Sequence, residues 1–334
     1  MRHGVTRASV SLLFSLGGLG FGLAFISTSG PSATTAAVSG KGTQRPTSQE
    51  MATTGNARHH PSALRNRDFI SGELVKWVGH AQDHSDGDGA GEMLEIASGT
   101  GCHAEAFAKL LPAWTFQPTE ARSQDYSYDE ARIPDILATI EEGQHSNIRP
   151  PSVLDVCADP STWPRPAGGD GSAEGGAARL WDVVICSNMI HISPQECTGG
   201  LLKGASAGLQ TGGYLFIYGP FALEGVLIPD SNKSFDESLK ARSGGSWGIR
   251  DVAWVASLAD EQGLELKAMT LMPANNFFVV FTKVRPTPGS SAEADADATN
   301  LAGDEAARKA RVADLVSAVV MPAREALEAS LAAK

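Results

Sequence analysis

One segment organises this chain, Met93-Leu-Glu-Ile-Ala-Ser-Gly-Thr-Gly-Cys-His103. It begins as a short apolar strand with an acid at Glu95, and it then turns through Ala97, Gly99 and Gly101. An alanine-rich pattern of helical period follows the turn. Glycines let the backbone approach a ligand closely, and the start of a helix offers free N–H groups. A strand, a glycine turn and a helix in this order therefore predict a nucleotide-binding corner.

Two cofactors are compatible with the letters of this turn. The turn fits the pattern acid-x-G-x-G-x-G from Glu95 to Gly101, with Ala97 in place of the first glycine. The same letters contain G-x-G-x-x-A, which ends at Ala104 and fits a dinucleotide site. The acid in the strand favours S-adenosylmethionine (SAM), because a carboxylate there can anchor the loop or bind the methionine amino group through water. We predict SAM as the cofactor and keep NAD as the alternative.

Strands and helices alternate around this segment. The predicted strands are Met93–Ile96, Trp114–Pro118, Val153–Val156, Trp181–Ser187, Tyr214–Tyr218, Leu264–Met272 and Asn276–Lys283. The first predicted helix begins near Asn66, and the others span His103–Leu111, Tyr128–Glu142, Pro194–Leu209 and Arg250–Gln262. Thr211–Gly213 is predicted to stop the helix that begins at Pro194, and residues 219–248 form a long connection. Alternation implies a parallel sheet, and the short link between the last two strands implies a hairpin. The sequence predicts an α/β protein with a Rossmann-like class I methyltransferase fold: a mostly parallel seven-stranded sheet, a C-terminal antiparallel hairpin and helices on both faces.

Composition divides the chain into three parts. Residues 1–60 form a targeting or disordered leader, 61–284 a SAM-dependent methyltransferase-like domain, and 285–334 a linker and an alanine-rich helical tail. A glycine-rich stretch at 167–177 is predicted as a surface loop. We expect the tail to be solvated or partly ordered, and the alternative is a docking helix through which a protein partner binds.

The leader has the features of a targeting segment. Arg2 and Arg7 precede an apolar run from Val10 to Ile26, and no acid comes before Glu50. The run is short and diluted by serine and glycine, so we expect no stable membrane span in the mature protein. An organelle transit sequence, a secretory signal and a signal anchor stay open, with a cytoplasmic protein as the other expectation.

Bulk composition narrows the class of partner. A net charge of −11 argues against a broad nucleic-acid surface, so we expect no nucleic acid. The four cysteines, at 102, 157, 186 and 197, form no C-x-x-C pair and complete no zinc pattern. We therefore predict reduced, mostly buried thiols and no metal site.

Polar residues at the ends of the later strands extend the predicted site. Glu120 ends the second strand, where a carboxylate can accept hydrogen bonds from both ribose hydroxyls. Asp155 ends the third strand, where it can accept from an adenine amino group, or it only forms a turn. Asn188 ends the fourth strand, next to the expected methionine part of the pocket. His191 follows as a candidate general base, or as a residue that merely fills the loop.

These residues also carry a resemblance to a known family. The chain resembles the methyltransferase-like protein 26 family, a poorly characterised branch of the class I SAM-dependent methyltransferase-like proteins, over about Pro61 to Lys283. The similar blocks are Leu94–His103, Phe116–Glu120, Ser187–Pro194, Tyr218–Phe221, Ser231-Asn232 with Phe235-Asp236, Trp247–Asp251 and Met272–Asn276. The resemblance implies a SAM-binding Rossmann-like fold but no substrate. Members commonly carry Asp where this chain has Glu120, which keeps the carboxylate and lengthens its reach.

The site prediction has two parts. The cofactor set is Glu95, Ala97, Ser98, Gly99, Gly101, His103, Glu120, Asp155 and Asn188. The candidate acceptor wall mixes aromatic and polar residues, as small-molecule pockets do: Tyr218, Phe221, Asn232, Trp247 and Arg250, with Phe235 nearby. We predict a SAM-dependent methyltransferase that acts on an unidentified small-molecule acceptor. The alternatives are a catalytically silent module that binds SAM or S-adenosylhomocysteine and acts through partners, and an NAD-dependent oxidoreductase.

Overall fold

The structure is a computed structural model that describes residues 58–81, 90–121, 132–166, 179–285 and 301–333. The predicted leader before residue 58, the glycine-rich stretch and the linker after Arg285 lie outside these residues. The described residues all fall in one compact unit. None of the helices in these ranges is long and apolar enough to cross a membrane.

The described residues form nine strands: β1 Glu92–Ile96, β2 Thr115–Glu120, β3 Ser152–Val153, β4 Trp181–Ser187, β5 Leu209–Gly219, β6 Phe221–Ala222, β7 Arg250–Asp251, β8 Leu264–Met272 and β9 Asn276–Lys283. Seven of them form one sheet in the order β3-β2-β1-β4-β5-β9-β8, and β6 and β7 form a separate short pair. The pairs from β3 to β5 are parallel, whereas β9 runs antiparallel to both β5 and β8. The order reverses between β1 and β4, which is where ligands bind in open α/β sheets.

Alternating side chains along the strands build a core on each face of the sheet. Along β1, Met93 belongs to one buried cluster and Leu94 to the other, because successive side chains of a strand point to opposite faces. Helices α1 and α2 cover the Met93 face, and α4, α6 and α7 cover the Leu94 face. The helices are α1 Pro61–Ala81, α2 Cys102–Leu110, α3 Arg132–Gly143, α4 Gln195–Gly208, α5 Asp230–Ser243, α6 Val252–Glu261 and α7 Leu301–Ala332.

Several elements differ from the sequence prediction, and α1 begins at Pro61, before its predicted start near Asn66. Strand β3 contains only two residues, and Asp155 lies in the turn after it. The predicted helix stop at Thr211–Gly213 is instead part of β5, which begins at Leu209 directly after α4. Helix α5 occupies much of the predicted long connection. Its buried residues are mostly polar, so it leaves no apolar period in the sequence.

The C-terminal tail is a helix packed on the domain, not a solvated extension. Helix α7 packs against β8 and α6. It buries residues at helical spacing in the same core as the sheet: Val312, Val316, Val320, Ala323 and Leu327. The apolar face on which the predicted partner contact depends is therefore covered by the chain's own core.

The cysteine prediction agrees with the structure. All four cysteines are free, and three of them are buried. The exposed Cys157 has its Sγ 3.4 Å from the Sγ of Cys197. In the described ranges, no group of His, Cys, Asp and Glu side chains has the arrangement of a metal site.

Candidate functional site

The turn after β1 takes left-handed backbone angles at three positions. Ala97, Gly99 and Gly101 have φ values of 54°, 60° and 77°. The Ser98 N–H donates to the Thr119 carbonyl over 2.8 Å, which ties the turn to the end of β2. A Cβ added to Gly99 would meet no atom within 4 Å, so this glycine borders open space. The turn therefore presents bare backbone where the sheet order reverses.

A cavity of about 680 Å³ lies beside this turn. Its volume falls within the roughly 300–1,000 Å³ of small-molecule sites. Residues from the turn, from the end of β4, from the start of α1 and from the β8–β9 turn line it. The predicted site residues among its lining are Ala97, Ser98, Gly99, His103, Asn188, His191 and Asn232.

Glu95 lies behind the turn as a buried acid without hydrogen-bond donors. Glu95 is 2% exposed, and neither of its carboxylate oxygens has a hydrogen-bond partner among the described residues. The nearest cationic group is His103, whose Nδ1 lies 3.7 Å from Oε1 and which itself lines the cavity. Buried carboxylates are normally paired or hydrogen-bonded, so this one has unused capacity to accept donors.

Glu120 folds back onto the glycine turn. One carboxylate oxygen accepts from the Gly99 N–H over 2.7 Å, and the other accepts from the Ala121 N–H over 3.0 Å. Burial raises the pKa of Glu120 to about 7, although both hydrogen bonds and the charge of Arg132 act in the opposite direction. The strained turn and the end of β2 are thus joined by a carboxyl that titrates near neutral pH.

A smaller cavity of about 30 Å³ lies on the Glu120 side of the turn. Asp155 lines this cavity together with Glu120. The Asp155 side chain also accepts from the Cys157 N–H over 2.9 Å, which is the turn-forming contact. Because Ala97 and Ile192 line both cavities, the two lie side by side. The predicted ribose and adenine residues therefore share one side of the turn, and the predicted methionine-side residues share the other.

His191 and Asn188 close the cavity at the end of β4. Asn188 takes a left-handed φ of 59°, and its N–H donates to the Tyr218 carbonyl over 2.8 Å. His191 lies in a short 3₁₀ turn, buried, with its ring edge against Phe235 at 5.7 Å between centroids. Burial, together with the charges of Arg250 and Arg242, lowers the pKa of His191 to about 3. The imidazole is therefore neutral at physiological pH, and its Nδ1 has no hydrogen-bond partner among the described residues.

Four of the five predicted wall residues do not line the large cavity. Tyr218 and Phe221 are fully buried in the two cores, since β5 and β6 direct them into the packing between sheet and helices. Arg250 donates from Nη2 to the Ser193 carbonyl over 2.7 Å, so it braces the loop before α4. Trp247 is half-buried outside the lining. Asn232 does line the cavity, and its amide donates to the Ile228 carbonyl over 3.0 Å.

Two walls of the cavity come from segments to which the sequence assigns no site. The start of α1 contributes polar residues such as Arg65 and Asn66, which resemble the solvent face of an amphipathic helix. The β8–β9 turn contributes Ala274, Asn275 and Asn276. The only signal for the second wall is the similar block Met272–Asn276, and the first wall has none.

The strand order, the glycine turn and the cavity together define a Rossmann-like class I methyltransferase fold. Residues 57–283 match the family described as "Protein of unknown function (DUF938)". The chain belongs to this family.

Solved structures with similarity to this chain include several methyltransferases. An O-methyltransferase family protein from Burkholderia thailandensis is 14% identical with a TM-score of 0.48, over 64% of this chain and 56% of that one. An O-methyltransferase family 2 protein from Planctomyces limnophilus, in complex with apigenin, is 16% identical with a TM-score of 0.47, over 66% and 61%. Human N-acetylserotonin methyltransferase, in complex with SAM, is 16% identical with a TM-score of 0.42, over 58% and 48%. The chain thus spans about half the length of the first of these proteins.

Proposed function

We propose that this chain binds SAM and transfers its methyl group to a small-molecule acceptor. The observation that carries the proposal is the buried, unpartnered carboxylate of Glu95 behind an open glycine turn, at the point where the sheet order reverses. Glu95 does not itself line the cavity, so a ligand's cationic amino group would reach this carboxylate through water or through His103, which lines the cavity with its Nδ1 3.7 Å from Oε1. The methionine part of SAM carries such a group.

The residues around the turn fit the other parts of this cofactor. Gly99 leaves the backbone open to a ligand, and His103, Ser98 and Asn188 line the cavity beside it. Glu120 and Asp155 line the adjoining cavity, whose volume of about 30 Å³ would have to widen to admit the ribose and adenine whose hydroxyls and amino group these carboxylates would accept from. When bound, SAM would supply an electrophilic methyl group: an acceptor nucleophile would bond to the methyl carbon as the C–S bond breaks, S-adenosylhomocysteine would leave, and the acceptor's proton would pass to solvent.

His191 has a role that its surroundings restrict. A neutral imidazole with a pKa near 3 accepts a hydrogen bond but holds a full proton weakly at neutral pH. We therefore assign His191 the role of orienting the acceptor's O–H or N–H group through a hydrogen bond, and not the role of a general base that takes up its proton. Positioning of donor and acceptor supplies much of the rate enhancement in such reactions.

Within the wider family we propose membership of the methyltransferase-like protein 26 group. The support is the seven sequence blocks that occur in the order given above. Residues from five of these blocks line the large cavity, namely those at Leu94–His103, Ser187–Pro194, Tyr218–Phe221, Ser231-Asn232 with Phe235, and Met272–Asn276.

Metabolite profiling with methyl-labelled SAM tests the proposal. The full chain is incubated with labelled SAM and a small-molecule extract, and labelled products are identified by mass spectrometry. We expect one or a few products that depend on the protein and are lost in Glu95→Gln. SAM binding without any labelled product would contradict transfer and support a silent SAM-binding module.

A further inference from the structure

The large cavity differs in charge from the chain as a whole. The chain carries 38 acidic and 27 basic residues, for a net charge of −11. Among the described residues that line the cavity there are two arginines, Arg65 and Arg132, and no aspartate or glutamate. With no aspartate or glutamate among the described lining residues, the positive charge of Arg65 favours an anionic group at its own part of the cavity.

The two arginines act on different sides of the site. The charge of Arg132 lowers the pKa of Glu120, against the larger effect of burial, which places Arg132 near the predicted ribose residue. The charge of Arg65 instead lowers the pKa of Tyr218, again against burial. The Tyr218 hydroxyl accepts from the Asn276 amide over 3.0 Å. Arg65 therefore shares the cavity lining with Asn275 and Asn276 of the β8–β9 turn and acts on the tyrosine that Asn276 contacts.

Arg65 has no carboxylate partner in the described part of the chain, unlike the arginines close to it in sequence. Arg58 pairs with Glu142 at 2.7 Å, and Arg67 pairs with Asp68 at 3.0 Å. No ion pair within the described residues involves Arg65, although it lines the cavity. Arginine binds carboxylate and phosphate groups with two parallel hydrogen bonds, which makes an unpaired arginine in a cavity a site for such groups.

The rest of this end of the cavity offers neutral hydrogen-bonding groups. Asn66, Asn232, Asn275 and Asn276 all line it. Ala274 and Asn275 both have a φ of 59°, a left-handed angle that residues other than glycine rarely adopt. Such angles cluster at ligand sites, where the surrounding structure holds the backbone in place.

We propose that the methyl acceptor carries an anionic group, a carboxylate or a phosphate, and that Arg65 binds this group at the end of the cavity formed by α1 and the β8–β9 turn. This proposal rests on the function proposed above, because the anion would be part of a methyl acceptor only if the protein transfers a methyl group. Anion binding at Arg65 is nevertheless measurable without turnover.

Calorimetry on the full chain tests the proposal with three probes of similar shape. Benzoate and phenyl phosphate carry the two candidate anions, and benzamide is neutral. Each is titrated with and without saturating S-adenosylhomocysteine, into wild type, Arg65→Gln and Lys76→Gln. Lys76 is a matched control because it lies on the same helix, loses the same charge and is absent from the cavity lining.

We expect at least one anion to bind wild type and Lys76→Gln at least tenfold more tightly than Arg65→Gln, and benzamide to bind more weakly than that anion. The tighter of the two anions identifies the chemical class. Equal binding of benzamide, equal anion affinity in Arg65→Gln, or no anion binding at all would overturn the proposal. If wild type does not bind S-adenosylhomocysteine, the proposed function is overturned instead. The titrations made without S-adenosylhomocysteine would still test anion binding by Arg65.

Discussion

At the residue scale, the site is defined by two acids in unequal surroundings. Glu95 is buried without hydrogen-bond donors, whereas Glu120 accepts two backbone N–H groups. The second acid fixes the turn in place, and the first has capacity left for a ligand. This division of roles makes separate predictions for each acid.

Glu120 should make the stability of the ligand-free protein fall as pH rises. Its folded pKa of about 7 lies above the ordinary 4.5, so the folded state binds this proton more tightly than the unfolded state. The resulting stabilisation is complete below pH 4.5 and is lost as pH rises from 4.5 to 7. Relative to Glu120→Gln, wild type should lose about 2–3 kcal/mol of unfolding free energy between pH 5 and pH 8. Urea denaturation of both proteins measures this loss of unfolding free energy. Parallel plots of unfolding free energy against pH for the two proteins would contradict the prediction.

His191 should affect turnover without adding a titration near neutral pH. Because its pKa is about 3, the imidazole stays neutral from pH 5 to pH 8. We expect His191→Ala to lower the rate about tenfold or more through the lost hydrogen bond, with SAM affinity unchanged. His191→Asn, which keeps an acceptor oxygen, should retain more of the rate.

The pH dependence of the rate of labelled-methyl transfer can contradict this role of His191. A rate limb with an apparent pKa near 6.5 in wild type that disappears in His191→Asn would mean that His191 works as an ordinary general base.

At the scale of elements, α7 completes the core on the Leu94 face. Its charged residues add to the apolar contacts, because the buried Asp260 of α6 accepts from Arg308 and Arg311 of α7 at 3.2 and 3.0 Å. Arg285, which follows β9, donates to the same carboxylate at 2.7 Å. Removal of the helix would leave this buried carboxylate with Arg285 as the remaining one of the three arginine partners. The tail is therefore a structural part of the domain.

Leu327→Ala tests this docking. Leu327 is 1% exposed within the core, so its truncation should lower the free energy of unfolding by about 2–4 kcal/mol. Glu325→Ala, an exposed change two residues away, should stay within about 0.5 kcal/mol of wild type. Urea denaturation of both variants measures the difference, and equal stabilities would show that α7 does not pack on the sheet in solution.

Elements with strong local signals could be predicted from sequence, and elements without them could not. Strands β4, β8 and β9 have the predicted bounds, because apolar runs with clear breaks define them. Helix α5 was beyond prediction, since Leu239 is its one buried apolar residue beside the buried Asn232 and Asp236. The glycines before Tyr214 resemble a helix stop, but a strand that follows α4 without a loop accommodates them.

At the scale of the whole molecule, the sequence could bring together the residues proposed for the cofactor, but not those of the proposed acceptor side. Gly99 and Gly101 belong to one local pattern, and Glu120 and Asn188 follow it at strand ends that a parallel sheet brings together. The acceptor side depends on α1 meeting the β8–β9 turn, two segments far apart in sequence. Tyr218 and Phe221 could not be recognised as core residues before their strands were placed.

The most direct test of the central claim is calorimetric titration of the full chain with SAM and, separately, with NAD. Wild type is compared with Glu95→Gln and with Glu92→Gln, a control at the other end of β1 whose acid pairs with Arg149 at 2.8 Å. We predict that SAM binds wild type and Glu92→Gln alike, that Glu95→Gln binds it at least about tenfold more weakly, and that NAD gives no binding. Tight NAD binding without SAM binding, or equal SAM affinity in Glu95→Gln, would contradict the account.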